Sequence, residues 1–198
     1  MDFDLAITNG TVIDGTGRPR FRADLGVRNG KITAIAAGEQ LTGRQTLDAA
    51  GLIVAPGFID VHSHSDWILP LPNHDQILTP LLLQGITTLV TGNCGFSPAP
   101  VTDESRPLLD EFSEMLRGEQ ALPYRWRLMA EFLDTLESNG LLFNAAFLVG
   151  HGSLRYAVMG GRADSSTPPT DRDMSVLHPH GLTLLTLTFR VSGCNLIL

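Results

Sequence analysis

Two histidines, His62 and His64, follow a short apolar segment of the chain. The segment contains Phe58, Ile59 and Val61, a composition typical of a buried β-strand. Because side chains alternate between the two faces of a strand, we expect both imidazoles to point the same way. Neutral imidazole is the commonest side-chain ligand of metal ions in proteins, so the pair predicts part of a metal site. The alternative is a pair of hydrogen-bonded histidines near the end of a strand.

Further polar residues follow the next two apolar segments. Cys94 comes soon after residues 86–91, and His151 comes soon after residues 145–149. The carboxyl ends of parallel strands meet at one edge of a sheet, and functional residues gather there. We therefore expect Cys94 to join the histidines as a metal ligand. An inert buried thiol is the alternative for this cysteine.

For two other residues near these segments, the sequence leaves two roles open. We place His151 in the substrate pocket, with a supporting structural role as the alternative. Asp66, two residues after His64, either tunes the histidines or faces solvent. Neither residue is assigned to the metal.

The elements that must position these residues begin with a small β layer in residues 1–51. β-prone runs surround Asn9-Gly10 and Asn29-Gly30, and each dipeptide supplies the positive φ of a tight hairpin turn. We expect two hairpins in an antiparallel layer. The layer predicts no chemistry of its own, and we interpret it as a structural cap.

The pattern changes at Leu52, from alternating runs to continuous apolar runs separated by segments of helical spacing. This order is typical of parallel β/α units with buried strands. Pro80 lies inside the first helical segment, so that helix is either kinked or begins near Thr79. We place strands at 53–61, 86–91 and 141–149, and helices at 75–84, 102–116 and 126–138.

The composition narrows the function further. The chain of 198 residues is 43% hydrophobic and 18% charged, which is typical of a globular protein. Its 14 Lys and Arg against 21 Asp and Glu give a net charge of −7, which argues against a nucleic-acid partner. The sequence has neither the pattern of a signal peptide nor a membrane-spanning run, so we expect a cytoplasmic protein with a small-molecule substrate.

Several motifs resemble those of the amidohydrolase superfamily, a group of metal-dependent (β/α)₈ hydrolases. They are Val12-Ile-Asp-Gly-Thr-Gly17, Asp48-Ala-Ala-Gly51 and Pro56-Gly-Phe-Ile-Asp-Val-His-Ser-His64. Within the superfamily, residues 85–98 with Gly92-Asn-Cys-Gly95, and residues 149–155, look like the N-acyl-D-amino-acid deacylase branch. In most relatives a carboxylated lysine bridges two metals, whereas in this branch a cysteine after the second strand takes that place. Cys94 matches the position of that cysteine.

The resemblance implies a cofactor, a reaction and a role for each ligand. His62 and His64 would bind a weakly held zinc, and Cys94 would be shared with a tightly held one. The implied reaction is hydrolysis of an N-acyl-D-amino acid to a carboxylate and a free D-amino acid. The alternatives are a hydrolase of cyclic amides, which would need a bridging lysine, and a non-catalytic metal-binding fragment.

The resemblance covers roughly residues 3–177, and it implies an incomplete TIM-like barrel. A (β/α)₈ barrel needs about 250 residues, whereas residues 52–177 provide three β/α units. We expect the family's general base, an aspartate, and two further zinc-binding histidines beyond the end of this chain, so we expect the chain alone to be inactive.

The tail, residues 178–198, does not resemble the family's continuation. Arg190 is its only charged residue, and the alternation at 185–189 predicts a strand. We expect an altered reading frame or a gene fragment here. We assign no role to His178, His180 and Cys194.

Overall fold

The computed structural model describes residues 3–163, 166–176, 188–190 and 196–197. The chain divides into two compact units, Met1–Phe58 with Gly193–Leu198, and Ile59–Ser192. The strands are β1 (Phe3–Val12), β2 (Phe21–Arg28), β3 (Lys31–Ala36), β4 (Gly43–Asp48), β5 (Ile53–Pro56), β6 (Phe58–Asp60), β7 (Ile86–Thr91), β8 (Asn144–Phe147), β9 (Thr188–Arg190) and β10 (Leu196–Ile197). The helices are α1 (His74–Leu83), α2 (Arg106–Arg117), α3 (Met129–Asn139) and α4 (His151–Met159), with 3-10 turns at Ser65–Trp67 and Gly160–Ala163 and a further helical segment at 171–176.

Strand β1 is the centre of the sheet in the first unit. It pairs antiparallel with β2 and parallel with β4 and β5, and β10 pairs antiparallel with β5. Strands β2 and β3 form the hairpin predicted at Asn29-Gly30, where both residues have positive φ. The predicted antiparallel layer is instead a mixed sheet, because β4 and β5 both run in the direction of β1. The core of this unit is formed by Ile7, Val12, Ala23, Leu25, Ala49 and Val54.

The hairpin predicted at Asn9-Gly10 is wrong. Strand β1 is unbroken, and the positive φ of Asn9 accompanies a shift in the β1–β2 register between Ile7 and Gly10. The Asp24 carboxylate accepts a hydrogen bond from the Asn9 backbone N–H, and the Asp48 carboxylate accepts one from the Asn9 side chain. A positive φ serves a β-bulge as well as a turn, so the dipeptide bends the strand here without reversing it.

The boundary between the units lies later than the predicted one at residue 51. Ile53 and Val54 of β5 pair with Thr11 and Val12 of β1, so this segment belongs to the first sheet. The single strand predicted over 53–61 is therefore two strands, β5 and β6, in two different sheets.

The second unit is organised around a sheet in the order β6-β7-β8-β9. Strands β7 and β8 are parallel, and the alternation of strands with helices follows the predicted order. Strand β9 pairs antiparallel with β8. It confirms part of the strand predicted at 185–189, and the rest of that prediction lies outside the described residues.

Three helices of this unit begin at residues that differ from the predicted ones. Helix α1 contains Pro80, so the alternative start near Thr79 is wrong. Helix α2 starts later than predicted because Thr102 and Ser105 exchange side-chain-to-backbone hydrogen bonds just before it. Helix α3 starts at Met129. The carboxylate of Glu131, in its first turn, accepts hydrogen bonds from the backbone N–H groups of residues 127 and 128, just before the helix. Among the helices described, none has the length and apolar character needed to cross a bilayer.

The core of the second unit lies between the helices and β7 and β8. The residues following the two histidines contribute Trp67, Leu69 and Leu71, all 0% exposed. The remaining large, nearly fully buried side chains of this core include Leu89, Leu109, Trp126, Phe132, Leu136 and Phe143. The segment that carries His62 and His64 is thus anchored by apolar packing immediately downstream.

The burial predicted for the first strand is wrong. Phe58, Ile59 and Val61 are 61%, 60% and 69% exposed. Strand β6 is three residues long and lies at an edge of its sheet, so only one neighbouring strand shields it. An apolar run predicts a strand here, but its burial depends on what packs against the edge.

Gly92, directly after β7, lies close to the backbone of Leu148, directly after β8, and substitution of this glycine tests how tightly these two strand ends pack. Gly92 and Gly140 share a φ of +79, but a Cβ on Gly92 would overlap the Leu148 carbonyl oxygen, whereas a Cβ on Gly140 would meet nothing within 4 Å. Gly140→Ala should cost about 1–3 kcal/mol, because the backbone of Gly140, with φ +79 and ψ +141, has a conformation that residues other than glycine rarely adopt. Gly92→Ala should cost about 1–3 kcal/mol more through overpacking.

Urea unfolding followed by tryptophan fluorescence measures this difference. The only two tryptophans, Trp67 and Trp126, both lie in the core of the second unit and report on it selectively. Equal losses of unfolding free energy in the two variants would contradict the close approach at Gly92.

Candidate metal centre

The two histidines lie just beyond β6, not inside the strand. Strand β6 ends at Asp60, and the backbone N–H of Ser63 donates a 2.9 Å hydrogen bond to the Val90 carbonyl of β7. This bond holds the His62–His64 segment against the neighbouring strand. The imidazole ring centroids of the two histidines are 5.6 Å apart.

Cys94 approaches the histidines from the loop that follows β7. Its φ of +54 is in the left-handed region, and its thiol is free and exposed. The Cys94 Sγ lies 3.3 Å from the His62 Nε2. One donor atom from each of His62, His64 and Cys94 lies within 4.8 Å of the other two. The structure thus brings together the three residues predicted as ligands, and the exposure of Cys94 excludes the inert buried thiol.

The donor set of this cluster fits a zinc ion. Imidazole and thiolate are common ligands of zinc, whereas harder cations such as Mg²⁺ and Ca²⁺ are bound mainly by carboxylate and carbonyl oxygens. The Nδ1 atom of His64 is buried and has no hydrogen-bond partner among the described residues. Buried polar atoms are normally paired, so an unpartnered imidazole nitrogen in this cluster is consistent with a ligand role.

Asn93 links the two segments that carry the donor atoms. Its side-chain amide donates a 2.9 Å hydrogen bond to the Val90 carbonyl and a 3.2 Å bond to the Ser63 carbonyl, between the two histidines. Sequence reasoning did not assign Asn93 a role. The available signal was an amide side chain at a strand end directly before the candidate ligand.

Asp66 is fully buried, which excludes the solvent-facing role considered from sequence. Its Oδ2 accepts a 3.1 Å hydrogen bond from the backbone N–H of Gly92, at the start of the cysteine loop. Burial raises the pKa of the Asp66 carboxyl to about 8, against the opposing effect of backbone hydrogen bonds, including that from Gly92. The carboxyl is therefore mainly protonated at neutral pH, and it contacts the loop backbone.

His151 is the first residue of α4 and is exposed. It lies outside the cluster formed by His62, His64 and Cys94. Its predicted place in the substrate pocket stays a prediction.

The sequence pattern of the amidohydrolase family matches residues 45–178. The chain belongs to the amidohydrolase family. It is 42% identical over 179 residues to a D-aminoacylase from Alcaligenes xylosoxydans xylosoxydans, a match that covers 88% of this chain and 34% of the relative. An N-acyl-D-aspartate deacylase from the same organism is 39% identical over 175 residues, with 88% of this chain and 33% of the relative covered.

Solved amidohydrolase structures share the α/β fold of this chain. A D-aminoacylase crystal structure described as defining a novel subset of amidohydrolases matches with a TM-score of 0.74 at 36% identity, over 92% of this chain and 35% of that one. An N-acyl-D-glutamate deacylase from Bordetella bronchiseptica, complexed with zinc and a phosphonate inhibitor, matches with a TM-score of 0.71 at 38% identity, over 93% of this chain and 36% of that one. The chain thus spans about a third of the length of the relatives it matches.

The raised pKa of Asp66 predicts a pH dependence of stability. The folded state retains the proton up to a pH of about 8, whereas the unfolded state loses it near its ordinary value of 3.8. Between these values the folded state binds more protons, so the free energy of unfolding falls as the pH rises and levels off above about pH 8. Asp66→Asn, which is nearly isosteric and always neutral, should lack this slope.

Chemical unfolding of the metal-free protein at a series of pH values, with a chelator present, measures the slope. The stability advantage of Asp66→Asn over the unsubstituted chain should grow from about pH 5 to about pH 8. Parallel stability profiles for the two proteins would show that Asp66 does not retain its proton.

Proposed function

We propose that this chain provides zinc ligands of an N-acyl-D-amino-acid deacylase. The observation that carries the proposal is the cluster of His62, His64 and Cys94, whose donor atoms lie within 4.8 Å of one another. Two features support the assignment of this cluster to a deacylase. The thiol follows the second strand of a β/α series, and the chain is 42% identical to a D-aminoacylase.

Each residue of the cluster contributes a different property. When bound, zinc supplies Lewis acidity toward the amide carbonyl and lowers the pKa of a water to about 7. His62 and His64 offer neutral lone pairs, and Cys94 offers a thiolate whose negative charge offsets part of the charge of the cation. His62 and Cys94 are exposed, so the cluster is open to a small molecule from that side.

We further propose that β6, β7 and β8 are the first three strands of a (β/α)₈ barrel. They are neighbours in the sheet, β7 and β8 are parallel, and a helix or a pair of helices separates each strand from the next. All the candidate residues follow the carboxyl ends of these strands, where TIM-barrel enzymes place their active sites. His151, close after β8, is at that end and is our candidate for a substrate contact.

The proposed substrates are N-acyl-D-amino acids. The relatives described above include enzymes named for N-acyl-D-aspartate and N-acyl-D-glutamate. We propose that the general base and two further zinc-binding histidines come from outside this chain. The cluster in this chain can hold a cation and present it to an amide.

A chimera tests the proposed function directly. Residues of this chain aligned to the Alcaligenes D-aminoacylase replace their counterparts in that enzyme, and release of free D-amino acid from N-acetyl-D-aspartate, N-acetyl-D-glutamate and N-acetyl-D-leucine is measured. We expect the chimera to hydrolyse at least one of these D-isomers and none of the matching L-isomers. Cys94→Ala in the chimera should abolish release, and the chain alone should show none.

Two results would contradict the proposal. One is a folded, zinc-loaded chimera that releases no D-amino acid while the parent enzyme is active. The other is a chimera whose activity survives Cys94→Ala, since that would remove the thiol from the metal site.

A further inference from the structure

We propose that Ser97 and Ser153 are positioning residues for Cys94, because their hydroxyl groups bond to backbone atoms and fix the cysteine loop to the start of α4. The inference rests on the proposed role of Cys94 as a metal ligand. It assigns a function to two buried hydroxyl groups that are 56 residues apart in sequence.

One hydroxyl satisfies both backbone groups of residue 97. The Ser97 N–H donates a 2.8 Å hydrogen bond to the Ser153 Oγ, and that Oγ donates its own proton to the Ser97 carbonyl at 2.8 Å. The Ser153 hydroxyl thereby pairs with both backbone groups of Ser97, as the backbone of a neighbouring strand would in a sheet. Since both serines are almost fully buried, water cannot replace these bonds.

The hydroxyl of Ser97 makes the other two hydrogen bonds of this contact. The Ser97 Oγ donates a 2.6 Å hydrogen bond to the Ala99 carbonyl and accepts a 2.9 Å bond from the backbone N–H of Gly150, the residue before α4. Together the two hydroxyls make four hydrogen bonds, and three of these join the loop to the start of α4. Loss of either hydroxyl leaves buried backbone groups unpaired.

The backbone of α4 also contacts the residue directly after Cys94. The Gly152 N–H donates a 2.7 Å hydrogen bond to the Gly95 carbonyl. A Cβ on Gly150 would lie 2.5 Å from the Gly95 carbonyl oxygen, and one on Gly152 would lie 2.8 Å from it. Glycine is therefore required at both positions of the turn, and the approach leaves the loop little room to shift.

These contacts matter because Cys94 makes few contacts of its own that would fix its position. Its side chain is exposed, its φ is left-handed, and the structure gives its sulfur one polar contact, with His62. A strained, exposed residue keeps its conformation only when the surrounding structure imposes it. Asn93 restrains the loop on the side of the histidines, and the serine pair restrains it on the side of α4.

The test compares Ser97→Ala and Ser153→Ala with a matched control, Ser113→Ala. Ser113 is a fully buried serine of α2 whose hydroxyl bonds to Asp110 and Arg117, both within the same helix. All proteins carry Cys194→Ser, so that Cys94 is the only thiol. The readouts are the affinity for Co²⁺, followed by the thiolate-to-cobalt absorption band, and the amide hydrogen exchange of residues 92–98 in metal-free protein.

We expect both loop variants to bind Co²⁺ about 10–100-fold more weakly, as is typical when a group that orients a metal ligand is removed. Their amide exchange at residues 92–98 should be faster, whereas Ser113→Ala should match the unsubstituted protein in both measurements. Ser153→Thr and Ser153→Val, which have the same shape and differ in the hydroxyl, provide a second comparison. Only the threonine variant should retain the Co²⁺ affinity, even if the alanine variants fold poorly.

Three outcomes overturn or separate the claims. Unchanged exchange at residues 92–98 in folded variants overturns the positioning role. Faster exchange with unchanged Co²⁺ affinity and absorption also overturns it, since the loop would then be held without consequence for the ligand. If the unsubstituted chain binds no Co²⁺, the proposed function fails, and the amide exchange alone decides whether the serine pair fixes the loop.

Discussion

One side-chain amide, that of Asn93, joins the two halves of the candidate metal centre. It donates hydrogen bonds to the carbonyls of Val90 and Ser63. The first belongs to the strand that precedes Cys94, and the second lies between His62 and His64. The separation between the thiol and the imidazoles therefore depends on an interaction that involves none of the three donor groups. The remaining contacts, with Asp66 and with the start of α4, hold the same loop from other directions.

The residues that would bind the metal differ from the residues that hold them in place. His62 and Cys94 are exposed, while Asp66, Ser97 and Ser153, which support them, are buried and Asn93 is half-buried. The support is mostly polar, because an amide, a buried carboxyl and two hydroxyls bond to backbone atoms of the two ligand segments or their flanks. Such bonds are directional, so they specify position, whereas the apolar side chains around Trp67 supply most of the stabilisation. A loop held only by apolar contacts would permit larger shifts of the sulfur.

The sequence predicted the cluster because its members follow strands that local patterns identify. A run rich in β-branched residues marks β7, the alternation of strands and helices predicts the order of the elements, and the ends of parallel strands converge. The positive φ of Asn9 was misassigned because one conformation serves both a turn and a bulge. The exposure of Phe58 could not be predicted, since burial of an edge strand depends on its neighbours. The burial of Asp66 and the bond between Ser97 and Ser153 arise from contacts far apart in sequence, for which local patterns carry no signal.

The most direct test of the account is X-ray absorption spectroscopy at the zinc edge of the zinc-loaded chain in a Cys194→Ser background. The account predicts one sulfur neighbour at about 2.3 Å and imidazole nitrogens at about 2.0–2.1 Å, with the sulfur lost in Cys94→Ala. Bound zinc with only nitrogen and oxygen neighbours, unchanged by Cys94→Ala, would contradict it.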